Sequence, residues 1–337
     1  MAIYNSITEL VGKTPIVEFK RLEKALGLKG RIAGKLEYFN PAGSHKDRMA
    51  LEIIEQAEAR NEISPDKTTL IEFTSGNTGI ALAAFAAAKG YKFNIGVQGG
   101  VSVERLKLIE AYQANIVDVP GELIAGVFER GIEAFEDVIN YMSEGVPGAY
   151  PTYQLSNADN INAHYKHTGP EIWEDTEGKI DIFVGGVGTG GSTHGVGKYL
   201  KEQNPNVKVV ITQPDVNDVL HPILNGVEDG GFHGIHAVYD GEKLNALAPK
   251  NYNADLTDEY VTVSYAQTLK AIHLLAKYEG IFVGASSGAS LAVAIKQALR
   301  EENEGKLIVP LLPDNGERYL SEDIQKVRHD IEDAVEF

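Results

Sequence analysis

Short, continuous apolar runs alternate along this chain with longer stretches in which apolar residues recur every three or four positions. "TTLIEF" (68–73) precedes "GIALAAFAAAKG", "KFNIGV" (92–97) precedes "SVERLKLIEAYQA", and "ANIVDV" (114–119) precedes "ELIAGVFERGIEAFEDVINYMSE". Further on, "DIFVGG" (181–186) precedes "STHGVGKYLKEQN", while "KVVIT" (208–212) and "KLIVPLL" (306–312) read as further buried strands. A strand covered on both faces loses its polar alternation, and helices between such strands provide the cover. The pattern predicts an α/β fold with mostly parallel sheets.

The run "VPGAYPTY" (146–153), rich in proline and glycine, is the best candidate for a boundary between two lobes. The last segment, "SEDIQKVRHDIEDAVEF" (321–337), reads as an acidic amphipathic end helix. A net charge of −17 argues against nucleic-acid and anionic-membrane partners, which need a basic face, but leaves small anionic ligands open. The absence of cysteine excludes disulfides, thiolate metal sites and a cysteine nucleophile. The opening "MAIYNSITELVGKTP" lacks a secretory signal pattern, and "IALAAFAAA" (80–88) is half the length of a membrane span. A cytosolic protein is expected.

Four loops carry candidate chemistry. In "NPAGSHKDRMA" (40–50), Lys46 sits in a short polar turn before an apolar helical pattern. Such a lysine is either solvated or held and partly desolvated, which lowers its pKa and suits Schiff-base chemistry. "TSGNTG" (74–79) and "VGASSGAS" (283–290) each look like a capped helix start, but the first clusters more small polar residues than a cap needs. Its N–H groups would suit a carboxylate. "GGVGTGGS" (185–192) lets the backbone fold around an anion at a helix N-terminus. Gly186, Gly188 and Gly191 also satisfy the dinucleotide spacing, with Asp215 after the next strand, so an NAD-dependent oxidoreductase competes. The pairs His164 and His167, and His233 and His236, lack the nearby carboxylates of a metal site, so no metal is expected.

In their order and spacing, "KLEYFNPAGSHKDR", "EFTSGNTGIALA", "GGVGTGGS", "GASSGAS" and "LLPDNGERYLS" resemble the cysteine synthase and cystathionine β-synthase family of fold-type II pyridoxal phosphate enzymes, over residues 5–321. That resemblance implies two α/β lobes: a smaller mobile lobe over 45–150 and a larger cofactor-binding lobe from 1–44 plus 151–325, followed by the end helix. It implies pyridoxal 5'-phosphate bound as a Schiff base on Lys46. Asn77 would meet the phenolic oxygen, and Gly188, Thr189, Gly190, Gly191 and Ser192 the phosphate. Ser286 would face the pyridine nitrogen. Thr74, Ser75, Asn77, Thr78 and Gln154 would hold the amino-acid carboxylate. A hydroxyl does not keep the pyridine protonated as a carboxylate would, which favours loss of a β-substituent over transamination. The expected reaction is β-replacement on an L-serine derivative through an aminoacrylate. The leading version is O-acetylserine sulfhydrylase, making L-cysteine from O-acetylserine and sulfide, in a homodimer; the nucleophile expected for the reaction class is sulfide or a thiol.

The sequence departs from the family at His45, at Phe73, in "VQGGVSVERLKL" and in "HGIHAVYDGEKLN". The last places His236, with Tyr239 and Asp240, as candidates to approach the leaving group or nucleophile. Cystathionine β-synthase, a sulfide-releasing cysteine lyase and a diaminopropionate-type synthase remain alternatives. So does a non-catalytic ligand-binding relative. No C-terminal regulatory module or haem-binding N-terminal region is expected.

Overall fold

A computed structural model describes residues 3–337 apart from 75, 98–100, 131, 216–233, 245–247, 323, 328, 330–332 and 334. Two sheets organise them. The larger comprises β1 (Ile16–Glu18), β2 (Arg31–Leu36), β7 (Ile182–Gly186), β8 (Lys208–Pro214), β9 (Glu259–Val263) and β10 (Leu307–Leu312), in the order β1-β2-β10-β7-β8-β9. Only β1 runs antiparallel to its neighbour. The smaller is fully parallel: β3 (Thr69–Thr74), β4 (Lys92–Val97), β5 (Asn115–Val117) and β6 (Ala149–Pro151), ordered β5-β4-β3-β6.

Each predicted strand is present within two residues of its expected end. The segment predicted as a boundary contributes β6, an edge strand, where Pro151 and its missing N–H are tolerated. The helical pattern over 122–144 forms two helices, α5 (Gly121–Arg130) and α6 (Ile132–Ser143), rather than one. The end helix expected over 321–337 falls partly on residues outside the described set. Of its described part, residues to Glu322 belong to a 3-10 helix (Gly316–Glu322), and Phe337 packs on the larger core.

Four helices position the site: α2 (Lys46–Ala59), α3 (Asn77–Lys89), α9 (Gly191–Gln203) and, late in the chain, α11 (Ala285–Leu299). The segments Thr78–Ala86 of α3 and Ala285–Ile295 of α11 are buried throughout. A helix apolar on every side is stable only when enclosed, which explains their alanine-rich sequences. α11 belongs to the core under the larger sheet with Ile32, Val184, Val210 and Ile308, and α3 to the core under the smaller with Leu70 and Ile95.

Candidate active site

In an open parallel sheet a ligand crevice forms beyond the carboxyl ends of the strands, where the connections leave in opposite directions. The larger sheet has this point between β7 and β10, the smaller between β3 and β6. One cleft is lined from both: Gly188 and Thr189 follow β7, Pro313 follows β10, Thr74, Gly76, Asn77 and Thr78 close β3 and open α3, and Gln154 and Leu155 follow β6. His45, Lys46, Ser286, Gly234 and His236 complete the floor. Lys46, Asn77, Gly191 and Ala285 begin their helices, so four positive helix ends gather around this region.

Lys46 answers the question its loop raised. It is half-buried in the cleft wall, with Nζ 3.5 Å from Thr189 Oγ1. Burial pushes its amine down to about 8, against the Asp314 carboxylate, which pulls it up. The turn before it is pinned: Asp47 Oδ2 accepts from the Ala42 N–H at 2.6 Å, and the His45 N–H donates to Pro313 O at 3.0 Å. Behind the lysine, Arg48 is clasped by Glu37 (Nε to Oε2, 2.7 Å) and Glu171 (Nη2 to Oε2, 2.7 Å). The buried Lys35 adds a contact to Glu171 at 2.9 Å. Although burial raises a carboxyl, Arg48 and Lys35 hold Glu171 down to about 2. His45 and His164 stand edge to face at 5.9 Å, and burial, with the Lys46 and Arg48 charges, holds both well below the usual histidine range.

The glycine loop satisfies a demanding geometry. A Cβ on Gly188 would stand 2.2 Å from Gly234 O, on Gly190 2.7 Å from the Tyr252 nitrogen, and on Gly191 2.1 Å from Asn160 Oδ1. Gly190 caps α9 with φ of 80°, a left-handed conformation natural to glycine. Gly188 and Thr189 reach the cleft, while Gly191 and Ser192 form the first turn of α9, whose N–H groups lack helical acceptors. Thr189 is steadied by Asn160 Nδ2 at 2.9 Å.

The remaining predicted residues fall as follows. Thr74, Asn77, Thr78 and Gln154 share the cleft wall, and the Thr78 hydroxyl donates to Gln154 Oε1; Ser75 and His233 lie outside the described residues. Ser286 lines the cleft from the first turn of α11. Tyr239 and Asp240 do not join it: Tyr239 stacks on Tyr260 with centroids 4.4 Å apart, and Asp240 caps its own turn through the Glu242 and Lys243 N–H groups. His167 approaches Glu52 at 3.8 Å rather than any metal cluster. Sequence reasoning gave no role to Arg105, Phe135, Leu155 and Tyr319, which also line the cleft. Arg105 is fixed by Glu322 at 2.8 Å, across more than two hundred residues of chain, a pairing with no local signal.

The fold and site define a two-sheet α/β enzyme with a partly desolvated lysine beside a glycine-rich helix start. The model of the family described as pyridoxal-phosphate dependent enzyme matches residues 7–314. Cysteine synthase 3 of Caenorhabditis elegans is 38% identical over 94% of this chain and 88% of its own length. A cysteine synthase of Staphylococcus aureus is 39% identical over 94% and 96%. Among solved structures, O-acetyl serine sulfhydrylase isoform 3 from Entamoeba histolytica superposes with a TM-score of 0.81 at 36% identity, covering 97% of this chain and 93% of that one. The chain belongs to the pyridoxal-phosphate dependent enzymes of the cysteine synthase family, and its cofactor is pyridoxal phosphate.

The residues present fit that cofactor. An amine of lowered pKa stands 3.5 Å from Thr189 Oγ1, in a loop whose glycines at 188, 190 and 191 leave no room for a Cβ, and both line one cleft. The dinucleotide reading fails against this family match. Asp215, its ribose-binding acid, is absent from the cleft lining and acts on Lys296 instead.

Proposed function

We propose that the protein is a cysteine synthase of the O-acetylserine sulfhydrylase kind, exchanging the acetoxy group of O-acetylserine for sulfide to give L-cysteine and acetate. The observation that carries this reading is the half-buried Lys46 amine, poised near pH 8, where the glycine loop and the "TSGNTG" helix start line the same cleft. Lys46 holds the cofactor, and Gly188 to Ser192 receive its phosphate. Ser286 faces its ring nitrogen and Asn77 its phenolic oxygen. When bound, the cofactor draws electrons from the substrate Cα, which makes the Cα proton removable and the β-substituent expellable.

The other steps belong to side chains. Thr74, Ser75, Asn77, Thr78 and Gln154 hold the substrate carboxylate at the positive end of α3. Lys46 Nζ, whose lowered pKa leaves the amine partly neutral near pH 8, would accept the Cα proton as general base. His236 stands where the leaving group departs and the nucleophile enters. Phe135 and Leu155 make part of the wall apolar, which keeps water from competing with sulfide.

The lobe over 45–150 closes on the larger one, formed by 1–44 and 151–325, when the carboxylate is bound. A homodimer fits the exposed Ile3, Tyr4, Ile7, Leu10 and Phe39, whose two segments are joined by the Gly12 N–H to Asn40 Oδ1 bond at 2.8 Å. A cytoplasmic location fits the metabolite substrates, and no helix among the described residues is long and apolar enough to cross a membrane. A spectral titration with O-acetylserine, serine, phosphoserine and cysteine tests the reading. O-acetylserine should change the visible spectrum and sulfide should restore it with release of L-cysteine. A colourless protein that takes up no pyridoxal phosphate would overturn it, as would preferential reaction of another substrate.

A further inference from the structure

The stretch "LLPDNGERYLS" (311–321) has no task in the chemistry above, yet it touches the cleft at its most sensitive point. Asn77 Nδ2 donates to Asp314 Oδ2 at 2.6 Å, and Arg318 Nη1 donates to Asn77 Oδ1 at 2.6 Å. We propose that Asp314 and Arg318 are positioning residues that lock the Asn77 amide in one orientation, so that its second Nδ2 hydrogen is presented to the cofactor beside Lys46. This rests on the reading of Lys46 and Asn77 as cofactor-holding residues.

A side-chain amide carries a donor end and an acceptor end of nearly equal size, so neutral partners often leave its orientation undecided. Here the two partners are opposite and unambiguous. An ionised carboxylate only accepts and a guanidinium only donates. Turning Asn77 over would break two charge-assisted bonds and set like ends against each other.

The clamp is itself held. Tyr319 OH donates to Asp314 Oδ2, and the Asp314 carbonyl accepts from the Gly284 N–H at 3.2 Å and Ser287 Oγ at 3.1 Å. Arg318 Nη2 donates to Ala42 O in the Lys46 turn, and the Arg318 carbonyl accepts from Ser102 Oγ at 2.6 Å. Asp314 Oδ1 is buried without a partner against Gly284, where a Cβ would stand 2.3 Å away, so no added side chain fits there. The charged and titratable groups around the clamp are Lys46 and Asp47 from α2, Arg318 and Tyr319 from the 3-10 helix, and Arg105, which stands 4.9 Å over the Tyr319 ring. The clamp thus ties together the Lys46 turn, the start of α3 and the segment after β10.

A double-mutant cycle on the full chain tests it, reading pyridoxal phosphate affinity and the position of the visible band after stripping and re-adding the cofactor. Asp314→Asn should weaken uptake roughly tenfold, the loss of one charge-assisted bond, and shift the band. In an Asn77→Ala background the same change should cost clearly less, leaving only the direct effect of the Asp314 charge on Lys46. Arg318→Met, which acts on the other end of the amide, is run through the same cycle, with near-ultraviolet circular dichroism verifying each fold. Equal losses in both backgrounds, or no loss in either, would overturn the clamp while Lys46→Ala still removes the band. If Lys46→Ala kept the band, the underlying reading would fall and the clamp with it.

Discussion

The Thr78 hydroxyl donates to Gln154 Oε1, joining the loop that leaves β3 to the loop that leaves β6. Two separate Asn side chains fix the Gln154 carbonyl: Asn160 Nδ2 at 2.8 Å and Asn251 Nδ2 at 2.9 Å. Gln154 is therefore held through its side chain by Thr78 and through its carbonyl by Asn160 and Asn251. Gln154→Ala should raise KM for the amino-acid substrate about tenfold to a hundredfold, the cost of one or two hydrogen bonds to a charged group. The cofactor band should not move. Steady-state kinetics beside an absorbance spectrum decide this, and a variant that loses the band with its substrate affinity would contradict the assignment.

Beneath that contact lies Glu72, fully buried and without a cationic partner among the described residues. It accepts from Thr152 Oγ1 at 2.5 Å, the Gln154 N–H at 3.1 Å and the Phe73 N–H at 3.0 Å. Burial outweighs these donors and pushes its carboxyl up to about 7. The folded value exceeds the unfolded one, so the folded chain keeps a proton that the unfolded chain has lost. Stability is then favoured at low pH and falls as pH rises from about 4.5 through 7, by about 3 kcal/mol at most. Denaturant unfolding of the parent and of Glu72→Gln across that window should show the gap move against the parent. A pH-independent gap would refute the ionisation of Glu72.

Much of this was legible in advance because the strands are buried on both faces and their apolar runs stand out. The strands β1, β2, β6 and β9 gave weaker signals. β1 and β6 are half-exposed three-residue edges, β9 is an edge strand with mixed burial, and the apolar run of β2 (RIAGKL) is interrupted by Gly34 and by Lys35, which is buried in an ion network. The Lys46 loop, the glycine loop and the Asn77 helix start are local features, and the structure brings them to one cleft. Arg105, Phe135 and Tyr319 reach it only through tertiary packing. A lone aromatic such as Phe135, which packs against Phe73 at 5.5 Å, is indistinguishable in sequence from any other core residue.

The ion cluster behind the active lysine makes a separate claim. Arg48 and Glu37 are both buried and doubly bonded, and Arg48 lies two residues from Lys46. Arg48→Met leaves the Glu37 carboxylate enclosed without its guanidinium, which should cost about 3–5 kcal/mol. Replacing Arg48 and Glu37 together by apolar residues should cost less than Arg48→Met alone. Urea denaturation of the three chains measures both, and a double variant worse than the single one would argue against charge isolation as the cause.

The glycine loop predicts a steric effect confined to the cofactor. At Gly191 an added methyl would fall 2.1 Å from Asn160 Oδ1, the amide whose nitrogen steadies Thr189. Gly191→Ala should displace Asn160 and Thr189 together, weakening pyridoxal phosphate binding more than it lowers the stability of the cofactor-free chain. Fluorescence titration and thermal unfolding of the stripped protein separate the two. Gly27→Ala serves as the control: nothing stands within 4 Å of its added methyl, although its φ of 63° makes the backbone less favourable.

Lys46 yields the sharpest pH dependence. Its amine titrates near 8 in the folded chain, against 10.5 for an ordinary lysine, because burial disfavours the ammonium. Below pH 8 both states carry the proton, and the full cost of enclosing the charge is present. As pH rises from 8 to 10.5 the folded chain releases the proton first, and stability increases. Lys46→Met should therefore stabilise the cofactor-free protein at pH 7, by about 3 kcal/mol at most, with the advantage fading towards pH 10.5. In the parent chain, pyridoxal phosphate capture should accelerate through pH 8, because only the neutral amine attacks the aldehyde. Urea unfolding at pH 7 and 10, with stopped-flow uptake over the same range, gives both numbers. Capture that levels off well below pH 8, or a stability gain unchanged by pH, would mean that the amine is not desolvated in the folded state.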